Sequence, residues 1–95
     1  MKESNFQKQL ITDLKKTFPG CIVLKNDANY IQGIPDLTVL YKDRWALLEC
    51  KNGPNSKHQT NQDYYISKGK EMSYASFVNP ENKESVLLDL KKKFN

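Results

Sequence analysis

Apolar positions along the chain change period several times, and each change marks an element. Phe6, Leu10, Ile11, Leu14 and Phe18 recur at three- and four-residue intervals, which predicts an amphipathic helix over residues 4–18. Ser4 and Gln7 fit a capping box at its start, and Pro19-Gly20 ends it. Residues 21–25, CIVLK, read as a short strand, followed by the polar loop KNDANYIQG. The apolar runs 37–41 and 45–51 flank a charged KDR and predict a hairpin. Beyond the turn Asn52-Gly53-Pro54-Asn55-Ser56, residues 56–68 read as a helix, with Ser56 and Gln59 as a second capping box and Gly69 as its stop. SYASFV, residues 73–78, is a strand, and Asn79-Pro80 opens a last helix with Val86, Leu87, Leu90 and Phe94 on its apolar face. The order α-β-β-β-α-β-α predicts an α/β fold, a central mixed sheet flanked by helices in one domain spanning 1–95.

Composition narrows this picture. Mean hydropathy of −0.74 and the absence of a long apolar run exclude a membrane-spanning helix. The opening MKESNFQKQL is too polar for a signal peptide, so a cytoplasmic location is expected. Lys and Arg outnumber Asp and Glu by 15 to 11, a formal charge of +4, which leans toward polyanionic partners. Arg44 is the single arginine, so contacts to nucleic acid would fall on phosphates rather than guanine edges. Cys21 and Cys50 are far apart and His58 is the one histidine, which leaves no zinc-ligand spacing and reads the cysteines as small buried thiols.

The hairpin carries the chemistry. Asp36 stands where its first strand begins, and Glu49 and Lys51 stand near the end of the second. Side chains alternate faces along a strand, so Glu49 and Lys51 share one face. A turn spanning Tyr41 to Arg44 sets Asp36 directly opposite Glu49, whereas a two-residue Asp43-Arg44 turn opposes it to Lys51. A three-residue turn without a bulge splits the acids between faces, and the expectation is that they meet. Adjacent carboxylates repel, and a hard divalent cation resolves the repulsion: carboxylate oxygens and the Cys50 backbone carbonyl suit Mg²⁺ or Mn²⁺. Lys51 would then hold a water or offset charge developing on a phosphate. A plainer reading keeps Asp36 as a cap after Pro35, with Glu49 and Lys51 exposed at the end of an edge strand.

Gly33-Ile34-Pro35-Asp36, twelve residues, then Glu49-Cys50-Lys51 resembles the PD-(D/E)xK nuclease signature. Within that superfamily the chain is most similar to small stand-alone VRR-NUC nucleases of phages and bacteria, and the likeness extends over nearly its whole length. The resemblance implies a restriction-endonuclease-like core and a metal-dependent DNA endonuclease, structure-selective for branched or Holliday-junction DNA or else nonspecific. It implies Asp36 and Glu49 as metal-binding acids, Lys51 as the catalytic lysine and Glu3 as a further acid on the first helix, although a helix starting at Ser4 leaves Glu3 just outside. It also implies a glutamine after the lysine; Gln62 takes that role, because Gln59 is already accounted for by its capping box. Lys25 and Lys57 are candidate phosphate contacts, Tyr64 and Tyr65 candidate stacking partners for unpaired bases, and His58 a bystander. A homodimer, within a bacterial host cell for a phage-encoded protein, completes the expectation. A catalytically inactive nucleic-acid-binding module of the same fold is the alternative.

Overall fold

A computed structural model describes residues 2–95. Its elements are α1 (Glu3–Thr17), β1 (Ile22–Lys25), β2 (Leu37–Tyr41), β3 (Arg44–Cys50), α2 (Gln62–Met72), β4 (Tyr74–Val78) and α3 (Lys83–Phe94). This is the order expected from the sequence. The four strands form one sheet in the order β1-β2-β3-β4, antiparallel except for the parallel β3–β4 pair. No helix among the described residues is long and apolar enough to cross a membrane.

Two layers of helix enclose the sheet. One face presents Leu37, Val39, Ala46, Leu48, Cys50 and Val78 to Phe6, Leu10 and Leu14 of α1 and to Val86, Leu87, Leu90 and Phe94 of α3. The four-residue spacing along α1 places Phe6, Leu10 and Leu14 on a single stripe, and Phe18 continues it past the helix end. There Phe18, Tyr41 and Phe94 meet with ring centroids 5.1–5.9 Å apart, closing the core at the hairpin end. Helix α2 covers the opposite face over β3 and β4, against Leu47 and Ala75.

Helix starts are where sequence and structure part. Helix α1 begins at Glu3, one residue before the expected start, and the capping box of Ser4 and Gln7 does not form; Lys2 stands at the N-cap without a side-chain bond. Helix α2 begins at Gln62 rather than near Ser56. Ser56 Oγ is occupied by the Gly53 N–H at 3.0 Å, so it caps the preceding turn and not the helix. Helix α3 begins at Lys83 rather than at Pro80, because Asn79 Oδ1 accepts from the N–H groups of Glu81 and Asn82 in a turn of its own.

Gly69 was expected at a helix stop and lies inside α2. It is the point of closest approach to the sheet: a Cβ there would lie 2.7 Å from the Ala75 Cβ and 3.1 Å from Leu47 Cδ1. Alanine favours an isolated helix over glycine by about 1 kcal/mol, but here overpacking of roughly 1–3 kcal/mol decides the sign. Gly69→Ala is therefore expected to lower the melting temperature by several degrees, measured by circular dichroism; an unchanged or higher value would contradict this packing.

Candidate functional site

The hairpin register decides what the strand ends bring together. Tyr41 pairs with Arg44 and Leu37 with Leu48, leaving Lys42-Asp43 as the connection. Lys42 adopts φ 57°, and a positive φ at the first central residue belongs to the mirror-image turns whose twist matches paired strands. One step further along the same ladder, Asp36 faces Glu49. Lys51 follows on the same face, and the parallel neighbour of Glu49 on that face is Phe77.

Backbone bonds lock the two acids to each other's strands. Glu49 Oε1 accepts the Asp36 N–H at 3.0 Å, and Asp36 Oδ2 accepts the Cys50 N–H at 2.9 Å. Successive peptide groups along β3 point to opposite edges: the Lys51 N–H goes to Val78 O of β4 at 2.8 Å, while the Cys50 N–H goes to Asp36. The Cys50 carbonyl shares the latter direction, toward the acids. Starting α1 at Glu3 puts that residue in the first helical turn, and its carboxylate joins the group. Oxygen atoms of Glu3, Asp36 and Glu49 all lie within 4.8 Å of one another.

Glu49 and Lys51 are not the exposed ends of an edge strand. Strand β3 is interior to the sheet, and the two residues are 3% and 5% exposed. Lys51 Nζ donates to Gln62 Oε1 at 2.7 Å and to the Lys57 carbonyl at 3.0 Å, and lies 3.8 Å from Glu49 Oε2. Gln62 Nε2 donates to Glu49 Oε2 at 2.9 Å, and its Oε1 also accepts the Gln59 N–H at 2.9 Å. One amide thus ties the acid, the lysine and the loop before α2. Gln59 contributes only backbone groups to this set, its N–H donating to Gln62 Oε1 and its carbonyl accepting the Gln62 N–H at 3.2 Å, and its side chain is exposed.

Burial raises the proton affinity of all three carboxylates, and for Glu49 and Glu3 the neighbouring acids raise it further. Glu49 is pushed up to about 7, first by burial and then by Asp36, against the opposing pull of Lys51. Asp36 is raised by burial, which its bond from Cys50 N–H and the charge of Lys51 offset in part. Glu3 is raised by burial and by Asp36. The Cys50 thiol, buried in the core on the other face, is driven to about 12 by burial and by the three acids. It stays protonated, so the site offers hard oxygen donors and no thiolate, a set suited to Mg²⁺ or Mn²⁺.

Asn26 was not among the residues singled out from the sequence, and Gly33 was singled out only as part of the segment Gly33–Asp36; both hold this site. Asn26 donates from Nδ2 to Pro35 O and from its backbone N–H to Asp36 O, both at 2.8 Å, and accepts from Thr38 Oγ1 at 3.0 Å. It grips the Pro35-Asp36 peptide from the end of β1. Gly33 has φ +89°, and a Cβ there would sit 2.5 Å from the Asn61 Cβ. The loop from β1 to β2 therefore presses on the residue that precedes Gln62. An asparagine just after a strand was the available signal for the first; nothing in the sequence foretold the second contact.

The remaining candidates lie outside this set. Lys25 and Lys57 are exposed, although the Lys57 carbonyl serves Lys51. Tyr64 is 58% exposed and meets Tyr65 edge-on at 5.0 Å. His58 stacks on Phe77 at 3.9 Å with Nδ1 2.8 Å from Asp63 Oδ1. A hollow of about 470 Å³ lined by Lys8, Gln9, Thr12, Asp13 and Lys83 contains none of the clustered acids.

Two outcomes follow from this geometry. Gly33→Ala forces both a left-handed alanine and a clash with Asn61, and is expected to cost about 1–3 kcal/mol, read as a drop in melting temperature. Secondly, the folded protein without divalent ions holds more protons than the unfolded chain between the ordinary glutamate range and about pH 7. Its stability therefore falls as pH rises through that window, by the sign of proton linkage. Thermal melts in EDTA from pH 5 to 8 should show this decline, and Glu49→Gln should flatten it; a slope unaltered by Glu49→Gln would place the raised acid elsewhere. Kinship adds nothing to this picture, since no protein-family model matches the chain and no curated protein matches it in sequence.

Proposed function

We propose that the chain is a divalent-metal-dependent nuclease of the PD-(D/E)xK type, similar to the VRR-NUC nucleases, with a restriction-endonuclease-like core. The observation that carries this reading is the convergence of Glu3, Asp36 and Glu49 beside the buried ammonium of Lys51. A buried acid beside a buried lysine is costly to keep for stability alone, and such groupings concentrate at functional sites.

The carboxylates of Glu3, Asp36 and Glu49, with the Cys50 carbonyl, would hold Mg²⁺ or Mn²⁺. Such an ion, when bound, polarises a phosphodiester and lowers the pKa of water. Lys51 spends two of its three donors on Gln62 and the Lys57 carbonyl. The third remains for a water or for charge developing on the phosphate. Gln62 keeps the ammonium and Glu49 in fixed relation through opposite ends of its amide. Glu49 and Lys51 are shielded from water, while exposed Glu3 and half-buried Asp36 leave the site open to a phosphodiester from that side.

DNA is the proposed substrate, cut without strong sequence preference. The single guanidinium, Arg44, sits at the far end of the hairpin and donates to the Lys93 carbonyl at 3.1 Å. Preference for branched or junction DNA and action as a homodimer in the cytoplasm belong to the same proposal, since one copy measures only 32 × 29 × 21 Å.

The test is cleavage of linear, nicked and four-way-junction DNA with Mg²⁺ or Mn²⁺ and with EDTA. Activity is expected only with the metal. Asp36→Ala, Glu49→Ala and Lys51→Ala should each lose about 10²–10⁴-fold, and Gln62→Ala about 10–100-fold, with folding verified by circular dichroism. Cleavage that survives Asp36→Ala removes that residue from the metal site, and binding without cleavage under every condition favours the inactive module. Light scattering is expected to give a mass near twice 11.0 kDa; a single 11.0 kDa species at high concentration would rule out the dimer.

A further inference from the structure

Beside Asp36 the loop between β1 and β2 encloses a pocket of about 240 Å³, lined by Asn26, Asp27, Tyr30, Ile31, Ile34 and Thr38. Pockets for drug-sized ligands run to roughly 300–1,000 Å³, so this one has room for a single ring system. Thr38 is two residues beyond Asp36 and shares its face of the sheet, which puts the pocket about 7 Å along the strand from the acids. That is the span of about two nucleotides of a stacked strand.

The lining selects the class of occupant. Ile31 and Ile34 supply apolar walls, and Tyr30 stands at the rim with 84% of its surface exposed. The Tyr30 ring is carried on a tight turn. The N–H groups of Tyr30 and Ile31 donate to Asp27 O at 3.0 and 3.3 Å, and Asp27 Oδ1 accepts the Asn29 N–H at 2.8 Å. Asn26 and Gly33 pin the two ends of the same loop, to Pro35-Asp36 and to Asn61. With the backbone beneath it held this way, the Tyr30 ring has only its own two side-chain torsions to order on stacking. No lysine lines the pocket, and the Asp27 carboxylate disfavours a phosphate there. A flat, uncharged, aromatic group satisfies every one of these conditions.

Resting on the nuclease reading, we propose that this pocket receives one unpaired nucleobase beside the scissile phosphate, stacked on Tyr30. The sugar-phosphate backbone then runs past Asp36 while the base leaves the stack. A paired base cannot enter without breaking its pair, so the pocket favours DNA that already has an unpaired base at this position.

Equilibrium binding of fluorescent single-stranded oligonucleotides in Ca²⁺ tests this, with each position in turn made abasic. Stacking on an aromatic side chain is worth about 1–3 kcal/mol per base, or roughly 5- to 150-fold in Kd. One position should show a penalty of that size with the unaltered protein. Tyr30→Phe should keep the penalty, Tyr30→Ala should abolish it, and Tyr64→Ala, which alters the exposed aromatic on α2, should leave it intact. Penalties below twofold at every position, or a penalty that persists in Tyr30→Ala or vanishes in Tyr64→Ala, would overturn the pocket assignment. Because the readout is binding, it separates the two proposals. A Tyr30-dependent penalty in a protein that never cuts DNA sinks the nuclease and keeps the pocket, and cleavage without the penalty does the reverse.

Discussion

The site depends on a buried ammonium and a buried carboxylate that share one amide. Glu49 lies on the interior strand β3 and Lys51 one residue past its end, the two 3.8 Å from each other with almost no access to water. Removing two charges from solvent costs more than their attraction returns unless further hydrogen bonds serve them. Gln62 supplies both kinds: its oxygen accepts from the ammonium, and its nitrogen donates to the carboxylate. A carboxamide carries an NH₂ donor and an oxygen acceptor on one carbon, and asparagine, the other side chain built this way, is one methylene shorter. The chemistry of the two neighbours also fixes which end of the amide faces which. Among the described residues no buried side-chain nitrogen or oxygen is left without a partner.

Charge balance around this amide explains the rest of the cluster. With every group ionised, three carboxylates and one ammonium sum to −2; burial raises the proton affinity of Glu49, Asp36 and Glu3, and the neighbouring acids add to it for Glu49 and Glu3. A proton on Glu49 relieves part of the repulsion, and a divalent cation would relieve all of it. The two remedies compete for the same oxygens, since a carboxylate must lose its proton to become a ligand. The buried thiol of Cys50 lies too deep in the core, and too firmly protonated, to divert the site toward soft-metal or nucleophilic chemistry.

What could be read from the sequence was whatever alternation and spacing determine. Strand alternation put Glu49 and Lys51 on one face, and a Tyr41–Arg44 closure put Asp36 opposite Glu49; both depend only on backbone periodicity and the turn. Helix starts were not legible in the same way. Ser56 and Gln59 have the spacing of a capping box, but Ser56 Oγ finds Gly53 N–H first, and the Gln59 N–H binds the Gln62 side chain. A polar side chain near several backbone donors has more than one equivalent partner, and tertiary packing chooses among them. The same choice moved the start of α1 to Glu3, which turned a terminal charge into a member of the acid cluster. Gly69 looked like a stop because glycine ends helices, yet its missing side chain serves contact with Ala75 instead.

Strand periodicity alone does not assemble the site, because the acids and the lysine are served by different elements. Asp36 lies before the start of β2, where the strand ladder no longer holds the chain, and Gln62 begins a helix on the far side of β3 in the sequence. The loop between β1 and β2 joins them: Asn26 grips the Pro35-Asp36 peptide at one end, and Gly33 abuts Asn61 at the other. Gly33 is glycine because its backbone is left-handed and because any Cβ would collide with Asn61. Pro35, without an N–H of its own, offers only its carbonyl, and Asn26 takes it. The GIPD segment is therefore a clamp as much as a ligand carrier. The sheet sets which side chains face each other, and the clamp sets how near the lysine's amide comes to the acids. A displacement of Asn61 would be felt by Gln62, then by Lys51 and Glu49, before it reached the core.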